Sequence, residues 1–377
     1  MKKAIMALDG GGSNLRILVT DSETNGVLFY GSLDTGTNLS TVANQEEALS
    51  NIQKLILEGY ANISNKYTLS AVGLSSAGTE IPEHKKKLEE TLNETIESMK
   101  ATYPNIATNP PFTCVTNDID ILLHSSDMAL VAGTGTVAAV KFKDVKPYDN
   151  TYDIPNDTIY KIDGKGPHLG DKGSGFWIGK KVLTAVSEIE NLGGFINRNG
   201  EFIEVEDSPL KELVWEKLYK ANGINSKTDS EKFVSSFVNP TTDELYLPMV
   251  YSATRNGKSV FDRASVGKLF SAIADEAAYA GDEAANDILK QASVELFKNI
   301  HVAYKKGNFE NKENCDLLLS GSVLVHSDII RTFLESTIKE YYPNINIKVN
   351  DEKPVWSTIR YLQKELDKRN NKSIEER

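Results

Sequence analysis

The first sixty residues change from a strand pattern to a helix pattern. Short apolar runs are separated by glycine-rich or Asp/Asn/Gly turns, at 4–8, 15–20 and 26–32. This spacing is typical of an antiparallel meander of three strands. From Asn44 onward the apolar residues fall three and four apart, which predicts a helix as far as Tyr60.

The next segment continues with alternating strands and helices. Apolar runs at 69–75 and 112–117 predict buried strands, and the stretch 82–101 predicts a helix that begins with Pro82. The segment YPNIATNPP, after the helix, is interpreted as a linker. The resulting order, βββαβαβ, predicts an α/β unit whose sheet starts as a meander.

A second series starts at residue 128 and has a similar plan. Two strands in 128–142 flank a Gly-Thr-Gly turn, as two strands flank the glycines near the N-terminus, so an internal duplication is a hypothesis. Helices are predicted at 170–190, 210–218, 264–280 and 284–303. The last elements predicted are a strand at 315–320, a helix to Lys339, a strand at 345–349 and a helix at 354–368. Residues 141–166 are predicted to form an extended hairpin and 197–209 a surface excursion.

Composition limits the possible partners and surroundings. The 377 residues include 42 Lys and Arg against 53 Asp and Glu, so the net charge is −11 and a general nucleic-acid role is disfavoured. The two cysteines, Cys114 and Cys315, are too few for a disulfide framework. The first apolar run is shorter than the core of a signal peptide, and no stretch reaches the length of a membrane span. We therefore expect a cytoplasmic protein that does not contact a membrane.

Three glycine turns are candidates for binding an anion. They are LDGGGSN at 8–14, GTGT at 133–136 and GSV at 321–323. Glycines leave backbone N–H groups open to close approach by a phosphate. The first turn is neither a Walker A loop nor a dinucleotide fingerprint, because a strand follows it and not a helix. A tight hairpin that merely tolerates glycine is the structural alternative. Three such turns in one chain favour a nucleotide.

Three aspartates accompany these turns. Asp9 precedes the first turn, Asp118 follows the strand at 112–117, and Asp171 lies in the glycine-rich segment GDKGSGFWIG. Phosphoryl transfer depends on loop amides, metal ions and a carboxylate base, so these acids suit that chemistry. For Asp118 and Asp171 a helix N-cap is the alternative interpretation.

The motifs together resemble a known family. The segments are LDGGGSNLRILVTD, TGTNLS, GLSSAG, VTNDID, ALVAGTGT, HLGDKGSGFWIG, AGDEAANDIL and LLLSGSV. In this order they are similar to the BadF/BadG-type ATPase family, which includes N-acetylglucosamine kinases. The resemblance implies the actin/hexokinase/heat-shock-chaperone superfamily, an α/β fold of two ribonuclease-H-like domains around a nucleotide cleft. The expected domains are 1–117 with the C-terminal helix 358–377, and 118–357 with a helical insertion.

The resemblance also implies roles for individual residues. Asp9 would hold Mg²⁺, largely through water, and Asp118 would be the general base. Asn38, Asp118 and Asp171 would contact the sugar. The phosphates of ATP would lie against Gly11, Gly12, Ser13 and Asn14 and against Gly133, Thr134, Gly135 and Thr136. Gly321 and Ser322 would lie near the adenosine.

The chain departs from the family pattern mildly at Ser13, where the family often has Thr, and at two further places. The stretch Gly164–Lys165–Gly166–Pro167 stands where sugar kinases of the family carry Gly-Trp-Gly-His, so an aromatic sugar contact is missing. Lys165 is either a contact for the carboxylate of a lactyl sugar or a solvent-facing lysine. Trp356 and Ser357 replace a small Gly-Ala pair near the purine pocket and the last helix.

The expected function is therefore Mg²⁺- and ATP-dependent phosphorylation of an amino sugar at a primary hydroxyl. N-acetylglucosamine, N-acetylmuramate and glucosamine are the candidate acceptors. One alternative is a dehydratase activator of the same family, which couples ATP to electron transfer from an iron–sulfur cluster and needs exposed cysteines. Another is a non-catalytic sugar-sensing relative. A homodimer is left open.

Overall fold

The strands and helices are numbered in chain order. The computed structural model describes residues 1–11, 14–141, 159–221, 254–255, 258–259 and 263–375. The strands are β1 (Lys2–Gly10), β2 (Leu15–Asp21), β3 (Val27–Leu33), β4 (Tyr67–Ser76), β5 (Phe112–Thr116), β6 (Met128–Ala132), β7 (Thr136–Lys141), β8 (Ile159–Asp163), β9 (Gly194–Ile196), β10 (Phe202–Glu204), β11 (Thr254–Arg255), β12 (Lys258–Ser259), β13 (Cys315–Ser320) and β14 (Ile345–Asn350). The helices are α1 (Gln45–Ala61), α2 (Pro82–Thr102), α3 (Pro104–Thr108), α4 (Gly175–Leu192), α5 (Pro209–Ala221), α6 (Arg263–Tyr279), α7 (Glu283–Lys306), α8 (Ser322–His326), α9 (Asp328–Tyr341) and α10 (Pro354–Glu375).

The chain divides into two compact units, each with its own five-stranded sheet. Unit 1 comprises residues 1–125 and 352–377, and unit 2 comprises residues 126–351. The sheet orders are β3-β2-β1-β4-β5 and β8-β7-β6-β13-β14. In both, an antiparallel meander of three strands is extended by two parallel strands beside its first strand. The α/β class with two such sheets is confirmed, whereas the assignment of domains to 1–117 and 118–357 stays a prediction.

The sheet of unit 1 is covered on both faces. Alternate residues of β1 point to opposite sides, so Met6 and Leu8 pack with α1 and α2, whereas Ile5 and Ala7 pack with α10. Burial on both faces explains why β1 reads as a continuous apolar run. Trp356 belongs to α10 and is partly buried against the cluster that contains Ile5 and Ala7. The C-terminal helix is thereby part of the core of unit 1.

Unit 2 has one contiguous core between its sheet and its helices. The stripe predicted on α7 is confirmed, because Ile288, Ala292, Leu296 and Ile300 are at most 5% exposed. Helix α4 begins at Gly175, later than the glycine-rich segment suggested, because the side chain of Ser174 caps it by accepting from the N–H of Trp177 at 3.2 Å. The N-cap interpretation of Asp171 was therefore wrong.

Several local predictions need correction. The predicted linker after α2 contains the short helix α3, whose Ile106 is fully buried. The helix predicted up to Lys339 is two helices, since Ser327 ends α8 and caps α9. The surface excursion predicted at 197–209 is confirmed as mostly exposed, and it contains β10 of the β9–β10 hairpin. Lys141 pairs with Ile159 in an antiparallel ladder, and residues 142–158 of the predicted hairpin lie outside the described residues. Among the described helices, none combines the length and apolar character needed to cross a membrane.

Candidate functional site

The candidate residues of unit 1 collect at one edge of its sheet. Strands β1, β4 and β5 are parallel, so their carboxyl ends lie side by side. Asp9 pairs with Ser75 in the register, and Ser75 pairs with Thr116, two residues before Asp118. Ligands of open α/β sheets bind at this kind of edge. The fold therefore brings Asp9 and Asp118 to the same edge.

Asp9 is a buried carboxylate held by its cross-strand neighbours. Its side chain accepts a hydrogen bond from Ser75 Oγ at 3.1 Å and lies 3.3 Å from Nη1 of Arg16. Thr358 Oγ1 lies 3.0 Å from Ser75 Oγ, so α10 supports the arrangement. Burial raises the pKa of the Asp9 carboxyl, and Arg16 and Ser75 counter part of that shift. A nearby cation would stabilise the ionised form.

The first glycine turn has an open face. The N–H of Gly11 donates to the carbonyl of Asn14 at 3.1 Å, and the N–H of Thr37 donates to the carbonyl of Gly11 at 3.0 Å. Among the described residues, a methyl group placed on Gly11 would meet no atom within 4 Å. A phosphate can therefore approach this backbone. Gly12 and Ser13, predicted to contact the phosphates, lie outside the described residues.

Asn38 lies next to this turn. Thr37 Oγ1 is 2.7 Å from Ser76 Oγ, which fixes the segment to the end of β4. The Asn38 side chain accepts from the N–H of Ser40 at 3.0 Å and lies against Gly78. The predicted sugar contact is thus placed beside the glycine turn in unit 1.

Asp118 is positioned by Asn117, which the sequence analysis did not single out. Asn117 is 5% exposed, and its Nδ2 donates to Thr79 Oγ1 and to Glu80 Oε1, both at 3.1 Å. Its Oδ1 accepts from the N–H of Ile119 at 3.1 Å. The half-buried Asp118 accepts from the same N–H at 3.0 Å. Asn117 therefore ties the loop that carries Asp118 to the loop after β4.

The second glycine turn joins β6 to β7 in unit 2. Two of its carbonyls accept hydrogen bonds from the start of α4. The N–H of Gly175 donates to the carbonyl of Gly133 at 2.7 Å, and the N–H of Phe176 donates to the carbonyl of Thr134 at 3.4 Å. A methyl group on Gly133 would meet no atom within 4 Å in the part of the chain that the structure describes. Thr134 is exposed, whereas Thr136 is only 2% exposed. The open side of this turn therefore lies at Gly133 and Thr134.

The third turn adjoins the second. Gly321 has φ +95°, in the left-handed region that favours glycine, and a Cβ there would lie 2.5 Å from the carbonyl oxygen of Ala132. Strands β6 and β13 are parallel neighbours, so Gly321 and Gly133 follow adjacent strand ends. Ser322 is exposed at the start of α8. The fold thus brings two of the three glycine turns together in unit 2.

Asp171 is buried beside the second turn. It is 3% exposed, its Oδ1 accepts from the N–H of Thr136 at 3.1 Å, and its Oδ2 forms an ion pair with Nη2 of Arg263. Burial raises the pKa of the Asp171 carboxyl, while the Thr136 hydrogen bond and Arg263 lower it. Arg263 was missed because nothing in its local sequence marks it.

Asp171 also lines a cavity of about 270 Å³ in unit 2. The other lining residues are Pro167, Gly170, Phe176, Trp177, Lys180, Lys181 and Thr184. Lys181 Nζ lies 5.4 Å from the centroid of the Trp177 ring. Within the part of the chain that the structure describes, neither lysine has a carboxylate partner. The cavity combines aromatic walls, a buried carboxylate and two ammonium groups.

Asp9 fits the requirements of Mg²⁺. This ion binds hard oxygen donors, keeps several waters and usually takes one or two carboxylates together with phosphate oxygens. Asp9 supplies a buried carboxylate at the end of β1, directly before the open turn at Gly11. Within the described ranges, no group of three or more His, Cys, Asp or Glu side chains suits a metal ion. A site shared with phosphate oxygens therefore matches this chain better than an all-protein cage.

The sequence matches a family model over most of its length. Residues 8–353 match the BadF/BadG/BcrA/BcrD ATPase family. The chain belongs to this family. Membership of an ATPase family implies the use of ATP.

Curated relatives and solved structures extend the comparison. An N-acetylmuramic acid/N-acetylglucosamine kinase of Clostridium acetobutylicum is 22% identical over 351 residues, 92% of this chain and 93% of that protein. An N-acetyl-D-glucosamine kinase of Dictyostelium discoideum is 27% identical over 184 residues, 49% of this chain and 46% of that protein. A structure from Chromobacterium violaceum, assigned as an N-acetylglucosamine kinase, aligns with a TM-score of 0.56. That alignment covers 95% of this chain and 98% of the other at 13% identity, so it shows the fold alone.

Proposed function

We propose that this protein transfers the γ-phosphoryl group of Mg²⁺-ATP to a primary hydroxyl of an amino sugar. N-acetylglucosamine and N-acetylmuramate are the first candidate acceptors, and glucosamine is the third. The observation that carries the proposal is one edge of the unit 1 sheet, where Asp9 at the end of β1, the turn at Gly11, Asn38 after β3 and Asp118 after β5 are found. The two curated relatives, named as kinases of these sugars, support the choice of acceptor.

In the proposed reaction Asp118 accepts the proton of the sugar hydroxyl. The hydroxyl oxygen forms a bond to the γ-phosphorus, the bond between that phosphorus and the bridging oxygen breaks, and ADP leaves. Positioning and charge neutralisation account for most of the rate in phosphoryl transfer. Asn117 holds the Asp118 loop through three hydrogen bonds, so the base has a fixed place. Asn38 and Asp171 orient the acceptor.

The phosphates are held by backbone groups. The turn at Gly11 and the turn at Gly133 both have open faces on which phosphate oxygens can approach the chain. Within the described residues, no backbone acceptor takes the N–H groups of Thr134 and Gly135. When bound beside Asp9, Mg²⁺ would neutralise charge that develops on the phosphate oxygens. The turn at Gly321 and Ser322 is the proposed adenosine region.

The cavity in unit 2 supports an amino sugar that carries an acid. Trp177 and Phe176 offer aromatic surface near the stretch 164–167, where the aromatic residue of related kinases is missing. Lys180 and Lys181 offer ammonium groups that a lactyl carboxylate can meet, whereas Lys165 is exposed and outside the lining. This favours N-acetylmuramate as an acceptor alongside N-acetylglucosamine.

The two thiols count against the activator alternative. Cys315 is 2% exposed in β13, and burial raises its pKa to about 11. Cys114 is half-buried in β5, and burial raises its pKa to about 12. Iron–sulfur ligation needs thiolates that can meet a cluster. Cys315 is buried and Cys114 is half-buried, so neither thiol is freely exposed to meet a cluster.

The proposal is tested by ADP release with Mg²⁺-ATP and a panel of amino sugars, comparing the unmodified protein with Asp118→Asn. We expect turnover of at least one sugar and a loss of roughly 10²-fold or more in kcat for the variant, because the proton acceptor is removed. Asp120→Asn, two residues further on, is the matched control and should retain activity. Turnover in Asp118→Asn equal to that of the control would exclude Asp118 as the base. Absence of turnover with every sugar would favour the sensing or activator alternatives.

A further inference from the structure

The second glycine turn is supported from one side by an ion pair that no local motif marks. A Cβ on Gly135 would lie 2.8 Å from Nη2 of Arg263 and 3.1 Å from Oδ1 of Asp171. The guanidinium and the carboxylate therefore lie directly against the backbone of the turn. Gly133, in the same turn, faces open space. The turn thus has one face for a ligand and another that rests on the Asp171–Arg263 pair.

Asp171 is fixed through both its main chain and its side chain. Its N–H donates to Asp163 Oδ1 at 2.8 Å, and Asp163 Oδ2 lies 3.4 Å from Nδ2 of Asn299 on α7. Its φ of +56° is uncommon for a residue with a side chain, so these contacts hold a backbone conformation that carries strain. The carboxylate then divides its oxygens between the N–H of Thr136 and Arg263.

Arg263 is the counter-charge for this buried carboxylate. A buried carboxylate without a partner is costly, and it either takes up a proton or moves toward water. Either response would weaken the hydrogen bond from the N–H of Thr136 and release the turn. The Arg263 side chain is 37% exposed, and its Nε is buried without a hydrogen-bond partner among the described residues. Arg263 therefore contacts Asp171 through Nη2 and not through Nε.

We propose that Arg263 is a positioning residue for the nucleotide. It holds Asp171 against Thr136 and so sets the conformation in which the Gly133–Thr136 turn receives phosphate. Because Asp171 is also the proposed sugar contact, the same pair links the acceptor to the nucleotide. Both steps rest on the phosphate site proposed above, and only the link to the acceptor rests on the proposed sugar kinase activity.

The chain offers a matched control in Arg198. Its Nε lies 3.7 Å from Asp287 Oδ1, and its side chain is 38% exposed, against 37% for Arg263. Both arginines belong to unit 2 and both pair with an aspartate. Arg263 lies against the turn at 133–136, whereas Arg198 lies in the hairpin between β9 and β10. Comparing variants of Arg198 and Arg263 therefore separates the effect of losing an exposed positive charge from the effect of losing the support for the turn.

The test is the affinity for Mg²⁺-ADP, measured by titration calorimetry on the full chain. We expect Arg263→Gln to weaken binding by roughly 10-fold or more, Arg263→Lys to weaken it less, and Arg198→Gln to leave it unchanged. With N-acetylglucosamine present, any increase in ADP affinity that the unmodified protein shows should be smaller in Arg263→Gln. Equal affinity in Arg263→Gln and Arg198→Gln would overturn the inference.

A double variant guards against a mere loss of folding. Asp171→Asn with Arg263→Gln removes both charges, so no buried carboxylate is left without its partner. We expect its ADP affinity to be no weaker than that of Arg263→Gln alone, because the two residues act as a unit. Fully additive losses would contradict that unit. If no sugar is turned over but Arg263→Gln still weakens ADP binding, the proposed function fails and the positioning role stands.

Discussion

At the scale of single residues, the three aspartates have different surroundings. Asp9 and Asp171 are buried at 6% and 3% exposure, each beside an arginine, whereas Asp118 is half-buried at the end of a strand. Burial raises the pKa of both buried carboxyls. Their environments suit binding and positioning, while Asp118, the proposed base, is the more accessible carboxylate.

The buried charge of Asp9 should reduce stability at neutral pH when no cation is present. Its pKa in the folded protein is above the value of an unfolded aspartate, so folding favours the protonated form. The stability from this group is therefore present at low pH and is lost as pH rises through the folded pKa. We expect Asp9→Asn to raise the Tm at pH 7 by about 2 °C or more.

The same comparison at low pH provides the control. Near pH 4, the ordinary range of an aspartate, the difference in Tm between Asp9→Asn and the unmodified protein should shrink. The variant should also lose kinase activity. Arg16 loses its ionic partner, but its side chain is 30% exposed and can rehydrate. A lower Tm for Asp9→Asn at pH 7 would show that Arg16 outweighs the cost of burial.

The sequence predicts residues next to glycine turns better than residues that act at a distance. Asp9, Asp118 and Asp171 follow or precede turns, so local motifs reveal them. Arg263 pairs with Asp171, which is 92 residues away in the sequence, and Asn117 donates a hydrogen bond to Glu80, which is 37 residues away. No local pattern records such pairings, because they depend on which strand ends the fold brings together. The placements of Asp9 and Asp118 at one edge could be expected, whereas their supporting partners could not.

At the scale of elements, the turn between β6 and β7 contains two glycines with different tasks. Gly133 faces open space, and Gly135 faces the Asp171–Arg263 pair. Gly133→Ala should therefore leave the Tm unchanged and raise the KM for ATP, because its methyl group occupies space that phosphate uses. Gly135→Ala should lower the Tm as well, because its Cβ collides with the pair.

The two alanine variants are compared by thermal melts and by KM for ATP. Identical behaviour of the two variants would contradict the separation of a ligand face from a supported face. Normal KM in both would mean that ATP does not approach this turn.

The C-terminal helix α10 is predicted to carry much of the stability of unit 1. Leu362 is fully buried, and a Cβ on Gly73 of β4 would lie 2.7 Å from its side chain. Leu362→Ala should lower the free energy of unfolding by about 2 to 5 kcal/mol, because it leaves a cavity between helix and sheet. Leu57→Ala, at a position 41% exposed on α1, is the control and should change it little. Equal effects in denaturant melts would argue against this packing.

Hydrophobic periodicity predicted most elements, and the failures have local causes. The stripe on α7 and the strands of both sheets follow from period 3.6 and short apolar runs. Helix α3 was missed because three prolines in 103–111 suggested a linker, although Pro104 is at the start of a helix, where proline is tolerated. The break between α8 and α9 depends on Ser327, whose hydroxyl bonds Asp275 Oδ1 at 2.6 Å. This contact joins the start of α9 to α6. A contact between distant segments does not appear in the hydrophobic periodicity of the sequence.

At the scale of the whole molecule, one sheet plan occurs twice. Each sheet is a meander of three strands with two parallel strands beside its first strand. The glycine turns at residues 8–14 and 133–136 occupy the same place in that plan, between its first and second strands. This correspondence explains why both turns were visible in the sequence as strand, glycine turn, strand. The proposed use of both turns for phosphate rests on their glycines, which this shared plan places alike.

The most direct test of the proposed kinase is the identity of its products. The protein is incubated with Mg²⁺-ATP and, in separate reactions, N-acetylglucosamine and N-acetylmuramate, and the products are followed by ³¹P NMR and mass spectrometry. We predict one sugar monophosphate for each ADP formed, with the phosphate on the primary hydroxyl, and no product in Asp118→Asn above background. ADP accompanied by inorganic phosphate and unchanged sugar would contradict the account, because it would identify an ATPase that does not use these acceptors.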